Sequence, residues 1–150
     1  MITTIYQSPI GPLYIAETAG AITHLKFSPI SGEAGESPLL KECFKQLDAY
    51  FGGKLQSFDL PLAPAGTSFQ KRVWEALKTI PYGQTRSYKM LAEAVDSPRG
   101  YRAVGLANNR NPISIIVPCH RVVGASGGLT GYGGGLPNKA YLLELEGIVL

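Results

Sequence analysis

Residues 61–66, Pro-Leu-Ala-Pro-Ala-Gly, divide the chain into two parts with different hydrophobic patterns. Before them, apolar and polar residues alternate with the period of two that is typical of β-strands. After them, apolar residues recur with the period of an α-helix. Two prolines and a glycine within six positions favour a connection over either element. The pattern predicts a mixed α/β (α+β) protein with lobes at residues 1–62 and 67–150 and a linker at 63–66.

The N-terminal part predicts a β-meander followed by one helix. Turn residues separate three alternating segments, at 3–7, 13–17 and 21–27. Residues 28–36 read as a loop. A helix begins with Ser37 as N-cap and Pro38 at its first position, and Gly52 ends it. Residues 55–60 predict a fourth strand.

The C-terminal part predicts four helices. Thr67 and Gln70 form a capping box, and Ser87 caps a short second helix. Ser97 as N-cap and Pro98 at the first position begin a third helix that ends near residue 108. Two short helices joined by so brief a turn have the dimensions of a helix-turn-helix. Residues 113–117 predict a strand, and Pro137 begins the last helix.

Composition indicates an ordinary soluble protein, with 45% hydrophobic and 17% charged residues. We expect a monomer. We also expect a cytoplasmic location, because the chain shows neither a membrane-length apolar run nor a signal peptide. The two cysteines then read as free thiols. No Cys/His cluster has the spacing of zinc ligands, so we expect neither metal nor cofactor.

The positive charge is concentrated in the second half of the chain. Residues 1–65 contain four Lys and Arg against six Asp and Glu, whereas residues 66–150 contain ten against five. A basic half suggests a polyanionic partner bound through phosphate contacts. A solvated basic face with no partner would have the same composition.

Cys119 stands between Pro118 and His120, directly after an apolar run. A thiol becomes a strong nucleophile only when it loses its proton, and an adjacent imidazole is a common base for this. The alternative is a buried cysteine beside a core histidine. Against that alternative, residues 124–135 hold seven glycines, which predicts a loop whose backbone approaches something closely.

A Cys-His pair normally needs a third group that orients the imidazole. Glu144 and Glu146 on the last helix are the candidates, and only Glu146 shares the face of Leu142. Cys43 lies on the apolar stripe of the first helix, so a structural thiol is expected there.

A series of motifs between residues 66 and 147 resembles the methylated-DNA–protein-cysteine methyltransferases, which remove alkyl groups from guanine. The motifs are Phe69-Gln70, Pro81-Tyr82-Gly83, Ser87-Tyr88, Arg102-Ala103-Val104-Gly105, Asn111-Pro112, Ile116-Val117-Pro118-Cys119-His120-Arg121-Val122-Val123, Gly134-Gly135-Leu136 and Glu146-Gly147. The resemblance implies a ribonuclease-H-like mixed-sheet N-terminal lobe. It also implies a helical C-terminal lobe with a winged-helix-like helix-turn-helix.

The resemblance implies a role for each residue of the reaction. Cys119 accepts the alkyl group, His120 is its base and Glu146 orients His120. Tyr88 hydrogen-bonds the target base, and Asn111 ties the helix-turn-helix to the active-site loop.

The resemblance also implies DNA contacts and a substrate pocket. The partner is double-stranded DNA with alkylated guanine, and O4-alkylthymine is a possible second substrate. Arg102 replaces the flipped base in the stack, and Ala103 and Gly105 allow close approach to the minor groove. The pocket is formed by Val122, Thr130, Tyr132, Gly133 and Lys139. Gly133 stands where many relatives have serine, and Thr130 where glycine is common, so the tolerated alkyl size is open.

Three other functions remain as alternatives. An alkyltransferase-like protein that only recognises damage would lack the acceptor cysteine, and Cys119 is present. A Cys-His-Glu hydrolase would leave the basic half and Arg102 without a role. A transcriptional regulator would need base-reading side chains, which a helix rich in Gly and Ala does not supply.

Overall fold

The N-terminal lobe is a four-stranded mixed sheet in a computed structural model that describes residues 1–150. The strands are β1 (Ile2–Ser8), β2 (Gly11–Thr18), β3 (Ala21–Lys26) and β4 (Glu33–Ala34), in the order β3-β2-β1-β4. β1, β2 and β3 form the predicted antiparallel meander. β4 pairs parallel to β1 within the segment that was predicted as loop.

The predicted strand at residues 55–60 is wrong, and a side chain explains why. The Gln46 amide donates to the Asp59 carbonyl and accepts from the Asp59 N–H, both at 2.9 Å. These contacts occupy the backbone groups that a neighbouring strand would otherwise bond.

Helix α1 (Pro38–Phe51) covers the sheet and begins where the sequence predicts. The Ser37 hydroxyl accepts from the Leu40 N–H at 3.1 Å. The helix buries Leu40, Cys43, Leu47 and Tyr50. Burial raises the pKa of the Cys43 thiol to about 12, so that thiol stays neutral and is a packing group.

The C-terminal lobe is helical apart from two short strands, which confirms the predicted α+β class. Its helices are α2 (Ser68–Lys78), α3 (Tyr88–Ala94), α4 (Tyr101–Asn109) and α5 (Leu136–Leu145). The strands β5 (Arg86–Ser87) and β6 (Val122–Val123) pair in parallel, and Cys119–Arg121 form a 3₁₀ turn. None of the helices is both long and apolar enough to span a lipid bilayer.

The N-caps at Thr67 and Ser87 are confirmed, whereas α4 begins three residues later than predicted. Residues 97–100 instead form a tight turn in which the Gly100 N–H donates to the Ser97 carbonyl at 2.8 Å. Asp96 enters this turn with a positive φ of 57°. The helix therefore starts only after Gly100. α5 begins one residue earlier than predicted, at Leu136.

Residues 113–117 do not form the predicted strand. The Asn111 side chain binds both the N–H and the carbonyl of Ile113, and Ile115 adopts a left-handed φ of 72°. A β-branched residue in that region costs about 1–3 kcal/mol. Ile115 is held in this conformation and is almost fully buried. The run is apolar because it crosses the core, where all five of its residues are buried.

Strand β3 joins the two lobes. The Ile22 N–H donates to the Pro61 carbonyl at 2.8 Å, and the Leu25 N–H donates to the Pro112 carbonyl at 2.9 Å. The Ser114 N–H returns a bond to the Leu25 carbonyl at 3.0 Å. The segment before Cys119 is thus anchored on the N-terminal sheet, and one apolar core of 25 buried residues extends through both lobes.

The turn between β2 and β3 yields a stability prediction. Ala19 and Gly20 link the paired residues Thr18 and Ala21 with φ values of 51° and 80°, and Ala19 is exposed. Asn tolerates this left-handed conformation better than Ala does. We expect Ala19→Asn to raise the free energy of unfolding by roughly 0.5–1 kcal/mol in urea denaturation. Ala125→Asn is the control, because Ala125 is exposed but has no positive φ; an equal gain there would contradict the turn argument.

Candidate active site

Cys119 lies at the start of the 3₁₀ turn and is only 4% exposed. The Asn111 amide holds the preceding segment by donating to the carbonyls of Ile113, at 3.2 Å, and Val117, at 2.8 Å. Asn111 follows the end of α4 by two residues. One buried side chain therefore fixes the path from the helix-turn-helix to the thiol.

Burial raises the pKa of the Cys119 thiol above its usual value. The polar groups of Asn111 and Ser114 and the charge of Lys139 oppose this effect without cancelling it. The thiol is therefore neutral near pH 7, and it needs a base before it can act as a nucleophile.

His120 is fully buried, and only one of its two ring nitrogens has a hydrogen-bond partner. Its Nε2 lies 2.7 Å from Glu146 Oε2, so this nitrogen carries the hydrogen of the neutral ring. Its Nδ1 is buried and has no hydrogen-bond partner. Burial lowers the pKa of His120 more than the hydrogen bond from its ring to Glu146 raises it. The neutral imidazole thus presents an unprotonated Nδ1, which is the form that a general base requires.

Glu146 follows α5 directly, and its carboxylate is hydrogen-bonded to three side chains. Arg121 Nε donates to Oε1 at 2.7 Å, and the Tyr50 hydroxyl donates to Oε2 at 2.6 Å, beside the bond from His120. Burial alone would raise the pKa of Glu146, but the hydrogen bonds from His120, Arg121 and Tyr50 lower it to about 2. The carboxylate is therefore ionised and can compensate a positive charge on His120.

Arg121 and Tyr50 had no predicted role, although both are part of this buried network. Arg121 also donates to the Ile80 carbonyl at 2.7 Å and lies over the Tyr82 ring at 5.7 Å. Its position inside the Pro-Cys-His-Arg motif was a usable signal. Tyr50 offered none, because it falls on the apolar stripe of α1 like any core aromatic.

Lys139 is fully buried and connects the glycine-rich loop to β6. Its Nζ donates to the carbonyls of Val122 and Thr130, both at 2.6 Å. Burial lowers the pKa of Lys139 to about 8. The Val122 carbonyl therefore has a hydrogen-bond partner within the protein.

The helix-turn-helix presents Arg102 and Ala103 to solvent on α4. Tyr88 packs against the same helix at Gly105. A Cβ atom added to Gly105 would lie 3.7 Å from the Tyr88 ring. The Tyr88 hydroxyl accepts from the Thr130 hydroxyl at 3.3 Å. Tyr88 therefore joins the helix-turn-helix to the glycine-rich loop.

A cavity of about 650 Å³ lies beside Cys119, between the two lobes. Of the five predicted pocket residues, Tyr132 and Gly133 line it, whereas Val122, Thr130 and Lys139 do not. Several lining residues had no predicted role, among them Phe27, Trp74, Asn108 and Ser114. No group of three or more Cys, His, Asp or Glu side chains is arranged to hold a metal ion.

Family models match both parts of the chain. Residues 1–64 match the ribonuclease-like domain of 6-O-methylguanine DNA methyltransferase, and residues 68–148 match its DNA binding domain.

Individual relatives are similar over almost the whole chain. A Methanosarcina barkeri protein named methylated-DNA–protein-cysteine methyltransferase is 54% identical, covering 97% of both chains. A Mycobacterium leprae protein of the same name is 55% identical over 93% of this chain and 88% of its own.

A solved structure of Mycobacterium tuberculosis OGT in complex with DNA has the same fold. It superposes with a TM-score of 0.90 at 50% identity, covering 97% of this chain and 92% of that one. The chain therefore belongs to the 6-O-methylguanine DNA methyltransferase family.

Proposed function

We propose that this chain repairs DNA by moving an alkyl group from the O6 oxygen of guanine to Cys119, once per molecule. The observation that carries the proposal is the buried Cys119 beside the His120–Glu146 pair, at a cavity large enough for an alkyl group. High identity to proteins named methylated-DNA–protein-cysteine methyltransferase supports the same reaction. O4-alkylthymine is a second candidate substrate.

The first step is proton removal from the thiol. His120 Nδ1 takes the Cys119 proton through a water molecule, since no side-chain hydrogen bond joins the two residues directly. The resulting imidazolium is stabilised by the ionised Glu146. The negative charge of the thiolate is stabilised by the nearby charge of Lys139.

The second step is a single displacement at the alkyl carbon. A sulfur–carbon bond forms, the carbon–O6 bond breaks, and the electron pair remains on guanine, which takes up one proton. Tyr88, at the joint between α3 and the glycine-rich loop, is our candidate for hydrogen bonding to the base as this charge develops. The thioether product has no good leaving group, so the protein reacts once.

The target base must leave the duplex before it reaches a buried thiol, at a cost of a few kcal/mol. Arg102 is exposed on α4, and we propose that it fills the space left in the stack. We also propose that the small size of Ala103 and Gly105 lets α4 approach the minor groove closely, where sequence readout is degenerate. That degeneracy suits a protein that must act on damage in any sequence.

The proposed roles of the pocket residues depend on whether each residue lines the cavity. Tyr132 and Gly133 line the cavity at Cys119. Val122, Thr130 and Lys139 act indirectly, because Lys139 fixes the carbonyls of the other two. We also propose a cytoplasmic location, where chromosomal DNA is accessible and free thiols stay reduced.

Intact-protein mass spectrometry tests the transfer. After incubation with a duplex that carries one O6-methylguanine, the protein should gain one CH₂, mapping to Cys119, and the DNA should contain normal guanine. Cys119→Ala should show no gain, and Cys43→Ala is the matched control that should keep it. Tight binding to the duplex with no mass gain would instead identify a damage-recognition protein.

The low pKa of Glu146 makes stability depend on pH. A carboxylate whose pKa is lower in the folded than in the unfolded chain stabilises the fold above about pH 4.5 and loses this effect as pH falls toward 2. We expect Glu146→Gln to unfold at lower urea concentration than wild type at pH 7, because Arg121 loses its partner. The difference should narrow from pH 4.5 downward; a constant difference would exclude an ionised Glu146 in the network.

Arg102→Ala should separate base flipping from chemistry. We expect transfer from a methylated duplex to slow by at least about tenfold, because the Arg102 side chain no longer fills the stack when the target base is flipped out. Transfer from the free O6-alkylguanine base should change little. Lys54→Ala removes one positive charge from the N-terminal lobe and controls for general attraction to DNA. Equal losses on duplex and free base would remove the proposed role of Arg102.

A further inference from the structure

One oxygen of the Glu146 carboxylate, Oε2, accepts hydrogen bonds from both lobes. His120 Nε2 lies 2.7 Å from it in the C-terminal lobe, and the Tyr50 hydroxyl donates to it at 2.6 Å from the N-terminal lobe. Arg121 binds mainly the other oxygen, because its Nε lies 2.7 Å from Oε1 whereas its Nη2 lies 3.2 Å from Oε2. The imidazole and the phenol therefore share the negative charge of one oxygen.

Packing around its ring holds the Tyr50 hydroxyl at this oxygen. Tyr50 is fully buried on the last turn of α1, and the ring centroids of Phe51, Phe58 and Tyr82 lie 5.3, 5.3 and 6.4 Å from its own. Burial and the neighbouring charge of Glu146 raise the pKa of Tyr50 well above its usual value. The phenol is therefore neutral, and it donates its proton to Oε2 in a fixed geometry.

A second donor on a carboxylate oxygen weakens the support that this oxygen gives to the first donor. Hydrogen bonds to an ionised group disperse its charge and lower its affinity for a proton. Glu146 favours the protonated form of His120, whereas burial opposes that form. Because Tyr50 shares Oε2, less negative charge faces the imidazole. The Tyr50 hydroxyl therefore favours the neutral ring over the imidazolium.

The other charged groups near His120 do not depend on Tyr50. Arg121 and Lys139 are positive, and both lower the pKa of His120. Among the ionisable side chains near His120 or Tyr50, only Glu146 accepts a hydrogen bond from Tyr50. The Tyr50 hydroxyl therefore acts on His120 through Glu146. These ionisable side chains are Tyr82, Cys119, Arg121, Tyr132, Lys139 and Glu146.

We propose that Tyr50 is a positioning residue for alkyl transfer, whose hydroxyl shares Glu146 Oε2 with His120 and so keeps the imidazole in the neutral form that accepts the Cys119 proton. This inference rests on the proposed alkyl transfer. Among the three side chains bound to Glu146, only Tyr50 belongs to the N-terminal lobe. The N-terminal lobe thus acts on the base of the reaction through one hydroxyl.

NMR of the histidine rings measures this effect directly. The chain contains only two histidines, so His24 serves as an internal reference for His120. Tyr50→Phe removes the hydroxyl and keeps the ring. We expect it to raise the pH midpoint of the His120 titration by about one unit, the ordinary size of an environmental shift, and to leave His24 unchanged. Tyr6→Phe is the matched control, because it removes a hydroxyl that donates to Asp48 in the same lobe and should not move His120.

The rate of alkyl transfer should show the same displacement. Single-turnover transfer from a duplex with O6-methylguanine is measured against pH, and its acidic limb reports protonation of the base. In Tyr50→Phe this limb should move to higher pH. The duplex concentration that gives half of the maximal rate should stay at the wild-type value, because Tyr50 is fully buried in the N-terminal lobe. A merely structural role would lower the stability of the variant without moving either midpoint.

Replacement of Tyr50 alone by 3-fluorotyrosine decides the question if Tyr50→Phe does not fold. This residue keeps the phenol and makes it a stronger donor, so it should lower the His120 midpoint. A midpoint that is unchanged in Tyr50→Phe, or in the fluorotyrosine variant where Tyr50→Phe is unfolded, overturns the proposal. Wild type that transfers no methyl group to Cys119 contradicts the proposed function itself. The NMR midpoints would then still show whether Tyr50 controls the protonation of His120.

Discussion

The buried carboxylate of Glu146 is the contact on which the active-site architecture depends. It binds Tyr50 from the N-terminal lobe together with His120 and Arg121 from the 3₁₀ turn that begins with Cys119. A buried carboxylate is stable only when several donors replace its water, and a buried guanidinium needs a partner as well. Each group therefore requires the others. The same contact orients the imidazole that we propose as the base for the thiol, so fold stability and the proposed chemistry share one interaction.

Backbone pairing to β3 supplies the second constraint. The linker bonds to Ile22, and the segment that leads to Cys119 bonds to Leu25, so the N-terminal sheet forms part of the scaffold around Cys119. Asn111, which follows α4, holds the same segment by donating a hydrogen bond to the Val117 carbonyl. The N-terminal lobe thus positions the segment before Cys119, although it carries none of the motifs that predict the site.

Local signals in the sequence were sufficient for the helix starts at Ser37, Thr67 and Ser87, because a capping hydrogen bond spans only three residues. Prediction failed where a side chain distant in sequence replaced a backbone partner, as Gln46 does for Asp59. It also failed at residues 113–117, where an apolar run indicates burial and not extended backbone. For the site, the Pro-Cys-His-Arg motif located the thiol and imidazole. Tyr50 stayed unnoticed because its importance lies in its contact with Glu146, which is distant in sequence.

The hydrogen bond between Tyr50 and Glu146 has a consequence for the folding pathway. It connects residues 96 positions apart, so the entropy of closing a long loop opposes it until most of the chain has collapsed. Cap-stabilised helices form from neighbouring residues and can appear early. We therefore expect the network around Cys119 to assemble near the end of folding, so that partly folded chains lack the oriented base that we propose for the thiol.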